Sequence, residues 1–164
     1  MSNRATWRLA LTSRQRKEVA TTYAGALWML AGLFSARVLG QALQHWAPLP
    51  FLPPFEAFQG SGLPYLLLLS AQLAILGWMC RLAWRVSAGE LMPRHRAGRT
   101  LAWAGSLYFL CMLLRLVVGL GFDTGSAWLE AWIPAVFHLV LAAFVLTLAA
   151  YHRRFLRFDY EGLP

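Results

Sequence analysis

The 164-residue chain has two cysteines, one lysine (Lys17) and only seven acidic residues. Cys80 and Cys111 form no CxxC pair. One lies near the end of an apolar stretch and the other inside the next, which speaks against a disulfide or a thiol-redox role. There is no HExxH pair, EF-hand loop or Cys/His cluster, so no motif calls for a metal. Glycine-rich dinucleotide loops and phosphate-binding loops are also missing. No serine has a legible histidine and acid arrangement. Neither an internal repeat nor a low-complexity segment occurs, and no motif assigns the chain to a family.

Apolar residues are what the chain has in abundance. They make up 59% of it, with a mean hydropathy of +0.50, where soluble domains hold about 45–50%. Four stretches are each long enough to cross a hydrocarbon core of about 30 Å. They read as Thr22–Gln44, Leu63–Val86, Leu101–Gly121 and Ala131–Tyr151. The expected fold is all-α: one four-span membrane domain over 1–164, a compact four-helix bundle. Thr12 with Gln15 resembles a capping box, so the first helix is expected to begin near Ser13. The basic segment before it reads as the flank of a retained first span rather than a cleaved leader.

The net charge of +8 could suggest nucleic acid, but its placement points elsewhere. Arg4, Arg8, Arg14, Arg16 and Lys17 precede span one. Arg81, Arg85, Arg94, Arg96 and Arg99 cluster around the loop between spans two and three, and Arg153, Arg154 and Arg157 follow span four. The other two loops hold no lysine or arginine. This is the positive-inside pattern, with both termini cytoplasmic, residues 1–21 a basic lead-in and 152–164 a cytoplasmic tail. The expected partners are a bilayer with anionic lipid at that face and other membrane subunits, with no nucleic acid. The arginine-, leucine- and tryptophan-rich, lysine-poor composition fits a bacterial inner membrane.

Loop one, from His45 to Gly62, is the long external segment. Pro48, Pro50, Pro53 and Pro54 are expected to forbid regular structure there, and Trp46, Phe51, Leu52, Phe55 and Phe58 should keep it on the interface or folded over the bundle mouth. In span one, Gly32, Ala36 and Gly40 recur every fourth residue. Small residues at that spacing admit a neighbouring helix, here a seam inside the bundle or, alternatively, a homodimer face.

Two cations break the cytoplasmic pattern: Arg37 in span one and Arg115 in span three. At ~1.5 Å per residue, Arg37 lies about 13 Å below Trp46 and Arg115 about 10 Å below Phe122. Gln72 and His138 fall about 10 and 9 Å below Tyr65 and Trp132. Gln41 sits a turn above Arg37, and Tyr108 shares a face with Arg115. Helical side chains lean toward their own N-terminus, so the arginines lean inward while Gln72 and His138 lean outward, and the groups converge. An unpartnered charge at mid-depth costs roughly 2.5–3.5 kcal/mol or more. The acids on that side are Glu56, Asp123 and Glu130. They can pin the loops to Arg37 and Arg115, or the layer of Arg37, Gln41, Gln72, Tyr108, Arg115 and His138 can bind an anionic or carbonyl-bearing ligand.

On these grounds the expected function is non-catalytic: an accessory, assembly or ligand-binding component of a larger membrane complex. The alternative is a membrane-embedded enzyme or quinone-site subunit using the Arg/His layer, and a transport component is third. No cofactor is required by the sequence. Haem or quinone would have to use His138 with groups at its depth.

Overall fold

A computed structural model describes residues 13–59, 62–122, 125–126, 129 and 131–160, with side chains described between Lys17 and Arg154. All regular structure among them is helical: α1 (Ser13–Trp46), α2 (Phe55–Phe58), α3 (Tyr65–Ser87), α4 (His95–Gly121) and α5 (Trp132–Tyr160). Four contain segments long and apolar enough to cross a membrane: Lys17–Trp46, Tyr65–Ser87, His95–Gly121 and Trp132–Arg154. The shorter two, of 23 residues each, reach about 34 Å at ~1.5 Å per residue.

Local chemistry sets the helix ends. Pro64 occupies the position before α3, and Pro134 lies in the first turn of α5, where a missing N–H breaks no helical bond. Gly89, at φ +70°, lets the chain leave α3 in the left-handed region that favours glycine. Three boundaries differ from the sequence reading. Helix α4 starts at His95 rather than Leu101, and α5 runs past Tyr151 to Tyr160. Hydropathy marks the apolar part of a helix, whereas backbone bonding continues until a breaker intervenes. The third difference lies in loop one, where the prolines permit a short helix, α2. Pro54 stands just before its first turn, outside the bonding that proline would break.

Helices α1 and α5 pack together at the centre, α3 lies on α1, α4 lies on α5, and α3 and α4 share no packed interface. The core occupies the half nearer the chain's basic loops. There α1 contributes Ala24, Leu27, Ala31, Phe34 and Val38, α3 Met79, Ala83 and Val86, and α5 Phe144, Leu148 and Tyr151. The alternating three- and four-residue spacing on α1 is the knobs-into-holes seam. Trp28 Nε1 donates to Ser87 Oγ at 3.1 Å, tying α1 to α3. The loop between α3 and α4 is held on α5: Tyr151 donates to the Leu91 carbonyl at 2.8 Å, and His152 Nδ1 accepts from the Arg94 N–H at 3.2 Å.

The reading of the α1 small residues as a seam inside the bundle is also corrected. Gly32 and Ala36 are exposed, and a Cβ on Gly32 would meet nothing. Only Gly40 is covered, by the Phe58 ring at 3.7 Å. Close helix contact occurs instead at Gly98 and Gly105 of α4. A Cβ on Gly98 would stand 3.0 Å from His152 Cβ, and one on Gly105 3.0 Å from Leu146 Cδ2. The first obstacle is fixed to the α5 backbone, and at Gly105 Leu146 Cγ and Val145 Cγ1 also stand at 3.1 Å. Gly98→Ala and Gly105→Ala should therefore each destabilise the protein by about 1 kcal/mol, because crowding exceeds the helix-propensity gain. Thermal unfolding of the two variants in detergent measures this, and no loss in either would contradict this packing.

Candidate functional site

The buried stripe of α1 changes character along its length. From Ala24 to Phe34 it is apolar, and at its other end Arg37, Gln41 and Gln44 are buried. A helix face lined with polar groups has to find partners on its neighbours. Those partners come from α2, α3, loop one and α5.

Arg37 is 8% exposed. One terminal nitrogen donates to the Phe58 carbonyl at 3.0 Å, and the guanidinium carbon lies 5.9 Å from the centre of the Phe137 ring. Its Nε is buried and has no hydrogen-bond partner. Among the described residues no carboxylate pairs with Arg37. Glu56, a candidate partner, is exposed. Asp123 and Glu130, the other two candidates, lie outside the described residues.

Gln72 of α3 donates to Gln41 of α1 across their seam, Nε2 to Oε1 at 3.1 Å. Gln41 Nε2 and Gln72 Oε1 are then left without partners, as is the Tyr65 hydroxyl. Reversing both amides exchanges the roles and again leaves one donor and one acceptor unmet.

Beside this seam lies a cavity of about 110 Å³. Its floor is Phe34 and Arg37 of α1. One wall is Leu68, Ala71, Gln72 and Ile75 of α3, and the other is Pro134, Phe137, His138 and Leu141 of α5. Ala71 and Ile75 are also exposed on the outer surface, so the cavity opens sideways between α3 and α5. His138 is braced from behind, its Nδ1 lying 2.5 Å from the Tyr108 hydroxyl of α4. If Tyr108 donates, the Nε2 of the neutral ring carries the proton, and if Nδ1 donates, Nε2 is an acceptor. Arg115, on α4 with Tyr108, is buried and is itself engaged.

The structure thus brings Arg37, Gln72 and His138 to one cavity. Gln41 joins it through Gln72, and Tyr108 through His138. Arg115 stands outside the lining. His45, on the same sequence face as Arg37 and Gln41, is exposed and packs among aromatic rings, with Tyr65 at 4.2 Å and Phe55 at 5.0 Å between centroids.

Two residues with structural roles were missed in the sequence. Gln44 holds loop one: its Nε2 donates to the Pro53 carbonyl at 2.8 Å and the Leu52 carbonyl at 3.3 Å, while Oε1 accepts from the Leu49 N–H at 2.6 Å. The available signal was a glutamine three residues beyond Gln41 on the same face, followed by a proline loop with carbonyls to satisfy. His152 opens the segment that the sequence presents as a cytoplasmic tail, yet it is 5% exposed. Among the described residues no three histidines, cysteines or acids gather as a metal site would require.

Compared with known proteins, the chain matches no family model, no curated protein and no solved structure.

Proposed function

We propose that this is a multi-pass protein of the bacterial inner membrane, with both termini cytoplasmic, serving as a non-catalytic ligand-binding component of a larger membrane complex. The orientation rests on the thirteen cations gathered around the termini and the α3–α4 loop. The ligand-binding role rests on one observation: Arg37, buried and with no carboxylate partner among the described residues, faces a cavity that opens sideways between two helices. A charge held out of water without a counter-charge is costly and is most often retained for function. In the proposed orientation the opening faces the outer half of the bilayer, so the ligand enters from lipid.

Native mass spectrometry of the protein extracted in mild detergent tests the role. Retained small molecules at one per chain, or stoichiometric partner subunits, are the expected result. A bare monomer lacking both would overturn the proposal. Orientation is tested by thiol labelling in a Cys80→Ala, Cys111→Ala background. An impermeant reagent applied from outside should modify Ser61→Cys and leave Glu90→Cys untouched, and the reverse pattern would invert the topology.

A second reading, a redox or proton-transfer subunit, draws on one feature. The Tyr108–His138 pair links the cavity to α4 and is the kind of contact along which a proton can move. A visible absorption band or a bound quinone in the purified protein would favour it.

A further inference from the structure

We infer that the cavity between α1, α3 and α5 takes the carboxylate head of a single-chain amphiphile, such as a free fatty acid, with its tail leaving through the gap beside Ala71 and Ile75. This rests on the ligand-binding reading above and adds the chemical class.

The lining specifies what is missing. Arg37 Nε is a buried donor without a partner, and Gln72 Oε1 is a buried acceptor without one. Arg37 also brings a positive charge with no carboxylate among the described residues to meet it. The complementary group is therefore negatively charged and offers an acceptor to the arginine. A carboxylate is acceptor-only and matches an arginine fork in plane. A quinone or ester carbonyl accepts but leaves the charge uncompensated.

Charge narrows the choice further. The lining carries one arginine, which balances a single carboxylate charge but not the ~1.5–2 charges of a phosphate monoester near pH 7. The rest of the lining suits an alkyl chain, since Phe34, Leu68, Ala71, Ile75, Pro134, Phe137 and Leu141 are apolar and only Arg37, Gln72 and His138 are polar. The exit also agrees. Ile75 is 38% exposed and Ala71 is exposed beside it, so a chain leaving there runs onto the outer faces of the helices.

The probes are carbon-13-carboxyl palmitate, methyl palmitate and palmitoyl lysophosphatidate. Each is titrated into the full-length protein in phosphatidylcholine nanodiscs and read by native mass spectrometry and, for palmitate, by the carboxyl carbon resonance. Palmitate should bind saturably at one per chain with a resonance distinct from that of palmitate in the bilayer. Methyl palmitate and the lysophosphatidate should bind at least tenfold more weakly. Arg37→Gln should weaken palmitate at least tenfold. Ala71→Leu, a change on an exposed surface that should not disturb folding, should also weaken it by narrowing the exit. Equal binding of palmitate and its methyl ester would overturn the carboxylate assignment while leaving a ligand site. Preference for the lysophosphatidate would overturn it in favour of a phosphate. Binding unaffected by Ala71→Leu would displace the exit. Failure of all three probes, with no molecule retained from the membrane, would remove the ligand-binding reading itself.

Discussion

Arg37→Met is expected to raise the unfolding temperature of the ligand-free protein. Substitution of a buried arginine usually weakens a protein because it strands a buried carboxylate partner. Here no such partner is found among the described residues, and the Nε makes no hydrogen bond. Methionine matches the length of the arginine stem and carries no charge. The loss is the bond to the Phe58 carbonyl, which costs about 1–3 kcal/mol if that oxygen is left dry. The gain is relief from an uncompensated buried charge, worth several kcal/mol. The net expectation is a stabilisation of about 2 kcal/mol, with binding at the cavity abolished. Such opposition between stability and activity is characteristic of functional sites. Thermal or denaturant unfolding in ligand-free detergent provides the measurement. A clear destabilisation would show that Arg37 pins the structure, as it would if a loop acid held it.

Gln44→Leu should produce the largest loss of stability. The leucine fits the buried stripe, but the Leu49 N–H and the Pro53 and Leu52 carbonyls lose their partner together. These groups are partly buried, so a total cost of about 3 kcal/mol follows from ~1–3 kcal/mol for each fully buried unmet group. The prolines of this loop cannot replace the lost donors, because proline has no N–H. Loop one should then open, and limited proteolysis between residues 47 and 62 should accelerate in step with the fall in unfolding temperature. A stable variant with an unchanged cleavage pattern would mean that loop one is held by its aromatic residues instead.

The legible and illegible parts of this molecule divide along physical lines. Span lengths are readable because hydrocarbon thickness fixes them, and the start near Tyr65 follows from local chemistry. The gathering of Arg37, Gln72 and His138 was foreseeable because polar groups are rare within such spans and side-chain lean is fixed by helix geometry. Helix neighbours were not readable. Most residues of α3 and α4 are apolar whether they meet lipid or protein, so hydropathy carries little partner information. Glycine spacing was no guide to contacts within the molecule for the same reason: Gly32 and Ala36 match a packing motif, but Gly98 and Gly105, seven residues apart, make the close contact inside it. His152 and Gln44 escaped notice because their roles depend on loop backbone groups whose positions the sequence does not give.

The α3–α4 loop carries a mechanical consequence. The chain forms two hairpins, α1 with α3 and α4 with α5, and this loop joins them at the basic end, where Tyr151 and His152 clasp it. At the other end α2, in the turn of the first hairpin, packs against α5 of the second. The two hairpins are therefore tied at both ends, with the cavity lying beside the second tie. The spacing of Arg37 from His138, which belong to different hairpins, is governed by the α1–α5 contact, by the clasp and by α2. Loosening the clasp with Tyr151→Phe, far from the cavity along the helix axis, should leave that spacing unchanged as long as α2 holds its end.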